Sequence, residues 1–294
     1  MKPLRLPAFA KINECLYVLG RRPDGYHELR TIFQTIGLHD MLEMSILRSP
    51  TVRLECDDPA LPAGRENLVW RAVASARRAV GMRSGVLVRL EKRIPVGRGL
   101  GGGSSDAAVA LIGVERLARR AIPPSERLRI AGELGSDVPF FLSGGRAMGI
   151  GRGEEIYPLP GVPKRTVVVV SPSGIAVSTR DAYGWLRAPA LTTRASARKL
   201  TSFCALCWSG QGDSLENDFE AVVFRRHPRL ARIHRALLRH GAVGAALAGS
   251  GSAVFGVFPS PAQARRAAIV FPDDQVFITE TVSGPEYRRA LCGA

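Results

Sequence analysis

The chain has 294 residues, 46% of them hydrophobic and 23% charged, a composition typical of globular proteins that excludes a collagen-like or wholly disordered chain. Its formal net charge of +15 is compatible with nucleic acid, an acidic membrane surface or a polyanionic small substrate, so charge alone selects no partner. The five cysteines are irregularly spaced, which argues against a disulfide framework. Because no apolar run is long enough for a signal peptide or a membrane span, we expect a cytoplasmic protein with reduced thiols and no membrane partner.

The first part of the chain is predicted to combine strands and helices. Residues 5–56 have the β-branched and alternating character of strands, with a turn at residues 20–25, where Pro23 and two glycines favour turn geometry. Residues 67–80 place apolar side chains at helical spacing. The further elements predicted here are a strand over 86–90, helices over 107–119 and 125–134, and a loop over 135–145.

A domain boundary is predicted at residues 158–163, which contain three prolines and a glycine. It divides the chain into domains of residues 1–160 and 161–294. Strand and helix runs in both halves indicate an α+β fold in each. The second half is predicted to contain strands over 166–170, 245–247, 254–258 and 276–282, helices over 228–240 and 262–269, and an irregular stretch over 186–214.

The densest glycine cluster lies between a predicted strand and a predicted helix. Glycines let the backbone approach a ligand closely, and the free N–H groups of a helix start favour phosphate, so we expect a phosphate-binding loop rather than a flexible linker. The segment is not a Walker A loop, because no Gly-Lys-Ser/Thr follows, and its G-x-G-x-x-G string is weak evidence for a dinucleotide. Ser104, Ser105 and Asp106 are expected to start the helix. The residues assigned to phosphate binding are Pro95, Val96, Gly97, Arg98, Gly99, Leu100, Gly101, Gly102, Gly103, Ser104 and Ser105.

Three other places carry polar residues in apolar surroundings. Lys11 and Asn13 interrupt an apolar strand. Either they lie on a strand edge that faces water, or Lys11 supplies a cation that neutralises a phosphate. Asp137 either caps a turn or serves as a buried general base, which phosphoryl transfer uses to take the acceptor's proton. The turn at residues 249–252 is either a tight hairpin or a second source of donors beside the phosphate loop.

Three of these segments together resemble a known family. Lys11-Ile12-Asn13, the loop at 95–105 and the turn at 248–252 are similar, in this order, to the three signatures of the galactokinase, homoserine kinase, mevalonate kinase and phosphomevalonate kinase (GHMP) superfamily. The strings at residues 20–29, 66–68, 135–141 and 215–220 resemble the branch of the superfamily that phosphorylates a cytidine diphosphate derivative.

The resemblance implies a two-domain α+β protein. Its N-terminal domain would have the fold of a ribosomal small-subunit protein and its C-terminal domain a ferredoxin-like fold, with the active site in the cleft between them. The expected reaction moves the γ-phosphoryl group of ATP to a 2-hydroxyl. The partners implied are ATP, which arrives as its Mg²⁺ complex, and the small-molecule substrate, with no nucleic acid and a monomer or weak homodimer as the assembly. No dedicated metal site is predicted, although the Ser105 hydroxyl is a candidate ligand.

The resemblance also assigns roles to individual positions of the sequence. Lys11 and Asp137 match the catalytic pair, and Tyr183 is expected to stack on the cytosine opposite Tyr26. The positions that match the substrate side are Asn13, Tyr26, His27, Thr179 and Tyr183.

Some positions depart from the family pattern, and other functions remain open. Glu14 and Arg98 stand where apolar or small residues are usual, and Arg98 would either clash with adenine or contact phosphate. Ala246-Leu247-Ala248 precedes the last turn where methionine is usual. The alternatives are another kinase of the superfamily, acting on homoserine, mevalonate or a sugar, and a basic nucleic-acid-binding protein. Only 6% of the residues are aromatic, which disfavours the last.

Overall fold

The computed structural model describes residues 2–186, 194–209 and 215–292. The strands within these ranges are β1 (Leu4–Arg21), β2 (His27–Leu47), β3 (Val52–Cys56), β4 (Gly85–Glu91), β5 (Arg146–Gly151), β6 (Glu155–Pro158), β7 (Thr166–Ser171), β8 (Glu216–Asn217), β9 (Gly244–Leu247), β10 (Val254–Phe258) and β11 (Gln275–Glu280). The α-helices are α1 (Leu68–Ala79), α2 (Gly102–Ala118), α3 (Pro124–Leu134), α4 (Thr179–Trp185), α5 (Arg194–Ser209), α6 (Glu220–Arg226), α7 (Pro228–Arg239), α8 (Pro261–Ala268) and α9 (Gly284–Cys292).

The larger sheet is built on a long antiparallel hairpin of β1 and β2. Its strand order is β3-β4-β2-β1-β8, and β5 pairs with β2 while β6 pairs with β5. Strand β1 is buried at every position from Ala10 to Gly20, so both of its faces are covered. A polar side chain on this part of β1 is therefore held inside the protein.

Helix α2 fills the centre of the first core. It packs between α1 and the hairpin, and most of its circumference is buried rather than one stripe. The glycine at position 113 allows this contact, because a Cβ there would lie 2.2 Å from the Met44 sulfur. The N-terminus of α2 is thereby fixed at the end of the sheet.

The smaller sheet is antiparallel, with the order β11-β7-β10-β9. Helices α7 and α8 cover one of its faces. The other face contributes Val169 and Phe255 to an apolar cluster that also contains Ala10 and Ile12 of β1 and Leu100 of the glycine-rich loop. The two sheets therefore share one core cluster beside the loop.

The last helix returns to the first sheet. Tyr287 and Leu291 of α9 belong to the core of the larger sheet and α2, although they lie more than 120 positions beyond residue 160. The Tyr287 ring is fully buried, and its hydroxyl donates a hydrogen bond to the carbonyl oxygen of Phe141 at 2.5 Å. The division at residue 160 thus remains a proposal. Helix α9 follows this position in the sequence but packs against residues that precede it.

Most of the predicted elements are confirmed, with two corrections and several additions. Helix α2 begins at Gly102 rather than at residue 107, because Gly101 takes the N-cap position in the left-handed conformation (φ +74°) and no side chain caps the helix. The stretch 186–214 is not irregular throughout, since α5 occupies Arg194–Ser209, while 187–193 and 210–214 lie outside the described residues. The other elements not predicted are β5, β6, β8, α4, α6 and α9. Within the part of the chain that the structure describes, no helix is long and apolar enough to cross a bilayer.

We predict that α9 is essential to the stability of the first core. Tyr287→Ala should lower the free energy of unfolding by about 3–5 kcal/mol, as for other large aromatic side chains removed from a core. Tyr287→Phe should cost about 1 kcal/mol, because only the hydrogen bond to Phe141 is lost. Urea denaturation followed by circular dichroism measures both. As a control, Trp208→Ala at a position that is 87% exposed should change stability by less than about 0.5 kcal/mol.

Candidate active site

A cleft of about 890 Å³ opens where the two sheets meet. Its walls come from β1, the glycine-rich loop, the start of α2, the turn at 249–252 and α4. The residues assigned from the sequence that line it are Lys11, Asn13, Tyr26, His27, Pro95, Val96, Gly97, Arg98, Gly99, Leu100, Gly101, Gly102, Gly103, Ser104, Asp137, Thr179 and Tyr183. Ser105 is fully buried and does not line the cleft, and its hydroxyl has no hydrogen-bond partner among the described residues.

Lys11 is a buried cation at the centre of the cleft wall. The residue is 3% exposed, so it does not lie on a strand edge facing water. Its ammonium donates a hydrogen bond to Asn13 Oδ1 at 2.9 Å and lies 3.3 Å from Asp137 Oδ2. The ring of Phe33 is 5.4 Å away, within the range of a cation–π contact. These contacts fix the ammonium in one position.

Asn13 is oriented in turn by a short relay along the hairpin. Its Nδ2 donates to Thr31 Oγ1 at 2.7 Å, and the Thr31 hydroxyl donates to the carbonyl oxygen of Cys15 at 2.7 Å. Because the amide donates through its nitrogen, its oxygen is directed at Lys11. The relay lies wholly inside the protein, where hydrogen bonds are strong and unpaired groups are costly.

Asp137 lies in the loop between α3 and a single 3₁₀ turn at Phe140–Leu142. Its side chain is 33% exposed, so the expectation of a buried carboxylate is corrected: the loop forms the rim of the cleft, and the carboxylate faces both Lys11 and the open space. Among the described residues its only polar contact is with Lys11, and it caps no turn.

The glycine-rich loop passes over Lys11 at very close range. The Lys11 backbone N–H donates to the carbonyl oxygen of Leu100 at 2.9 Å. A Cβ at Gly101 would lie 2.9 Å from the Phe141 ring and 3.0 Å from the Lys11 side chain. Because the first three N–H groups of α2, from Gly102, Gly103 and Ser104, have no partner within the helix, they are free to bind an anion.

The turn at 249–252 lies against the same loop. This is the position predicted for it as a second source of hydrogen-bond donors. A Cβ at Gly249 would be 3.1 Å from the carbonyl oxygen of Gly99 and 3.3 Å from Lys11 Nζ. The buried amide of Asn217, which sequence reasoning used only within a resemblance, donates to the carbonyl oxygens of Leu247 and Gly249 at 2.8 and 2.7 Å. Asn217 therefore holds the turn in place from below.

The aromatic residues gather at the other end of the cleft. The rings of His27 and Tyr183 are stacked, with centroids 4.8 Å apart and 23° between their planes. Tyr26 is 55% exposed, and its ring packs against the Arg152 guanidinium at 4.8 Å. Burial lowers the pKa of His27, and the nearby Arg21 lowers it further, so the imidazole is neutral at pH 7. The neutral stacked ring is suited to a flat, polar heterocycle.

A buried lysine between two aspartates was missed by sequence reasoning. Lys92 Nζ contacts Asp40 Oδ2 and lies 2.8 Å from Asp106 Oδ2, and all three side chains are at most 7% exposed. Asp40 Oδ1 also accepts the backbone N–H of Ile94 at 2.8 Å, so it fixes the segment that leads from β4 into the loop. Burial opposes the charge on Lys92, but the two carboxylates outweigh it and raise the pKa of the ammonium. Burial raises the pKa of the Asp106 carboxyl.

We predict that Lys92 is required to keep these carboxylates inside the protein. Lys92→Met should cost about 3–5 kcal/mol at pH 7, because it leaves two buried carboxyl groups without their cation. Burial already raises the pKa of the Asp106 carboxyl, and loss of the Lys92 charge raises it further, so the deficit should shrink as the pH falls toward the unfolded value of about 4. Urea unfolding at pH 7 and pH 5 measures the difference.

The matched control is Arg89→Met, which removes a cation that is 57% exposed and paired with Glu43 and Glu55. Its cost should not exceed about 1 kcal/mol. Equal costs for the two variants would contradict the role assigned to Lys92.

Two family models match the chain. Residues 67–145 match the GHMP kinases N terminal domain, and residues 200–269 match the GHMP kinases C terminal domain. In the described part of the chain, no group of three or more His, Cys, Asp or Glu residues could hold a metal ion.

Individual relatives cover nearly the whole chain. A 4-diphosphocytidyl-2-C-methyl-D-erythritol kinase from Solibacter usitatus is 49% identical over 96% of this chain and 90% of its own, and one from Moorella thermoacetica is 45% identical over 91% and 94%. The crystal structure of a 4-(cytidine 5'-diphospho)-2C-methyl-D-erythritol kinase superimposes with a TM-score of 0.78, at 35% identity over 95% of this chain and 99% of that one. A homoserine kinase from Cytophaga hutchinsonii has a TM-score of 0.74 over 96% and 95% of the two chains, but at 18% identity it shows a shared fold alone.

Proposed function

Because the chain belongs to the 4-diphosphocytidyl-2-C-methyl-D-erythritol kinase family of the GHMP kinases, we propose that it transfers the γ-phosphoryl group of ATP to the 2-hydroxyl of that diphosphocytidyl alcohol, with ADP as the second product. The observation that carries this proposal is the contact between Lys11 and Asp137, which lies between the glycine-rich loop and the aromatic end of the cleft. A cation and a carboxylate at this place can serve both a phosphoryl group and the hydroxyl that attacks it.

The nucleotide is assigned to the loop and the start of α2. Its phosphates would bind the free N–H groups of Gly102, Gly103 and Ser104, where the helix dipole also favours negative charge. The adenine ring would pack on the apolar side chains of Leu68 and Val96 beside them. The magnesium ion enters as part of Mg-ATP and is treated as part of the substrate.

The cytidine group is assigned to the aromatic end. The Tyr26 and Tyr183 rings each offer a face on which a base can stack, a contact worth about 1–3 kcal/mol. Burial raises the pKa of the Tyr183 phenol and the neighbouring Asp137 raises it further, so the ring stays neutral. Thr179, whose hydroxyl lies 3.1 Å from that of Ser250, would lie between the bound base and the catalytic pair.

The catalytic step requires one proton transfer and one phosphoryl transfer. The 2-hydroxyl oxygen attacks the γ-phosphorus, the bond to the bridging oxygen of ADP breaks, and a carboxylate oxygen of Asp137 accepts the hydroxyl proton. Lys11, held by Asn13, places its positive charge beside the transferring group, where it stabilises developing negative charge.

An assay of acceptor preference tests the proposed function. With ATP as donor, the purified protein should phosphorylate 4-diphosphocytidyl-2-C-methyl-D-erythritol, and should leave homoserine and mevalonate unmodified at equal concentrations. Formation of ADP, coupled to NADH oxidation, measures turnover. Turnover of homoserine or mevalonate without turnover of the diphosphocytidyl alcohol would contradict the assignment.

We predict that Gly103 is needed for ATP and not for the fold. A Cβ at this position would meet only one protein atom, a Leu68 methyl group at 3.9 Å, and it would project toward the assigned phosphate site. Gly103→Val should therefore raise KM for ATP by about tenfold or more, since a lost charge-assisted hydrogen bond is worth about 1.5–3 kcal/mol. Gly132→Val in α3, where a Cβ would meet nothing, is the control and should leave KM unchanged. Steady-state kinetics at varied ATP concentration decides between them.

We predict that Asp137→Asn removes the base and keeps the binding site. The amide has the size of the carboxylate and can still contact Lys11 through its oxygen, but it cannot accept the proton. The value of kcat should fall by about 10²–10⁴-fold, while the KM values for both substrates change little. An Asp137→Asn variant of normal melting temperature and near-normal kcat would contradict the role of base.

A further inference from the structure

The arginine of the glycine-rich loop is attached to the other side of the cleft. Arg98 is half-buried, and its Nη1 donates a hydrogen bond to Ser252 Oγ at 2.7 Å. Ser252 is fully buried, and its hydroxyl donates in turn to the carbonyl oxygen of Ile175 at 2.7 Å. Two consecutive hydrogen bonds thus join three segments that are far apart in the sequence.

The segment that contains Ile175 leads directly to the substrate end of the cleft. It runs from the end of β7 to α4, which carries Thr179 and Tyr183. The turn also contacts α4 itself, since the hydroxyls of Ser250 and Thr179 are 3.1 Å apart. The turn at 249–252 therefore has the phosphate loop on one side and the cytidine-binding helix on the other.

Backbone contacts fix the loop to the turn at the same place. The Ala253 N–H donates to the carbonyl oxygen of Arg98 at 3.2 Å. Gly99 approaches the Ala248 carbonyl so closely that a Cβ on it would lie 1.8 Å from the oxygen. The Arg98 side chain adds a bond to Ser252, the residue of the turn whose hydroxyl is bonded to Ile175.

The bond from Arg98 to Ser252 is not an ion pair. Among the described residues no carboxylate lies within ion-pair distance of Arg98, whereas on the same cleft wall Lys11 has one such partner and Lys92 has two. A half-buried guanidinium bound to a neutral hydroxyl is held there by hydrogen-bond geometry and not by charge neutralisation. The contact suits a residue that sets a position.

We propose that Arg98 is a positioning residue which, through Ser252, keeps the phosphate loop and the segment 172–183 in one fixed arrangement, so that nucleotide and diphosphocytidyl substrate strengthen each other's binding. The inference rests on the proposed function for the identity of the two ligands. It also accounts for the arginine at a loop position where a small residue is usual, since its side chain points to the turn instead of clashing with adenine.

A double-mutant cycle tests the bridge. Arg98→Ala, Ser252→Ala and the double variant are compared in the affinity for ATP, measured by calorimetry with and without cytidine diphosphate. Cytidine diphosphate should tighten ATP binding in the unchanged protein. When cytidine diphosphate is present, each single variant should bind ATP about tenfold more weakly than the unchanged protein does. The double variant should be no weaker than the weaker single variant, because both changes break the same bridge. Arg232→Ala, an exposed arginine of α7 outside the cleft, is the control for loss of one charge and should retain the coupling.

Three outcomes would overturn the proposal. In the first, cytidine diphosphate leaves the ATP affinity of the unchanged protein unaltered. In the second, Arg98→Ala weakens ATP binding while Ser252→Ala does not, which would make Arg98 a direct phosphate ligand. In the third, the two single effects add in the double variant. Should Ser252→Ala fail to fold, Arg98→Lys takes its place: lysine retains a donor of similar reach and should restore part of the coupling, and an unrestored coupling overturns the bridge. These experiments measure binding and not turnover. A protein that does not phosphorylate the diphosphocytidyl alcohol would contradict the proposed function, whereas a loss of coupling would contradict only the role of Arg98.

Discussion

The active site depends on one buried ammonium group. Lys11 lies on a strand whose two faces are both covered, and an isolated charge in such a place would cost several kcal/mol. The surrounding structure compensates with the Asn13 oxygen, the Asp137 carboxylate and the Phe33 ring. In the proposed mechanism Asp137 becomes neutral as it accepts a proton, while negative charge accumulates on the phosphoryl group. The ammonium therefore has an anionic partner before and after the transfer.

The same ammonium explains why the site needs both sheets. The glycine-rich loop belongs to the first sheet and the turn at 249–252 to the second, and they meet above Lys11. The apolar cluster formed by Ala10, Leu100 and Phe255 lies directly behind this meeting point and holds the sheets together. Glycine is required at positions 99 and 101 because backbone or ring atoms of other segments occupy the space of a side chain. The packing of the two sheets thus imposes this close approach on the candidate site.

Sequence patterns predicted those features that depend on local spacing. The amphipathic helix α1 and the buried strands β7 and β10 were found because their apolar residues repeat at the helical or strand period. The predicted start of helix α2 lies too far along the chain, because the helix follows Gly101 without a capping side chain. Helix α5 was missed since Ser, Thr and Cys weaken its pattern, and only Phe203 among its described side chains is buried.

Within the site, the residues in recognisable strings line the cleft, except for the buried Ser105, whereas contacts between residues far apart in the sequence were not predicted. Lys92 meets Asp40 across 52 positions of sequence, and Arg98 meets Ser252 across 154, so no local pattern could join either pair. The stacking of His27 on Tyr183 was not predicted either, since the two residues lie 156 positions apart.

Helix α9 also sets an order of events during biosynthesis. The Tyr287 ring completes the core beneath Phe141, which lies 146 positions earlier and four residues from Asp137. Synthesis proceeds from the N-terminus, so a nascent chain on the ribosome holds this core open until nearly the whole protein has been translated. The Asp137 carboxylate is then among the last groups to reach its place. A chain released before α9 exposes an apolar hole in the core of the larger sheet, which is the kind of surface that chaperones and proteases recognise.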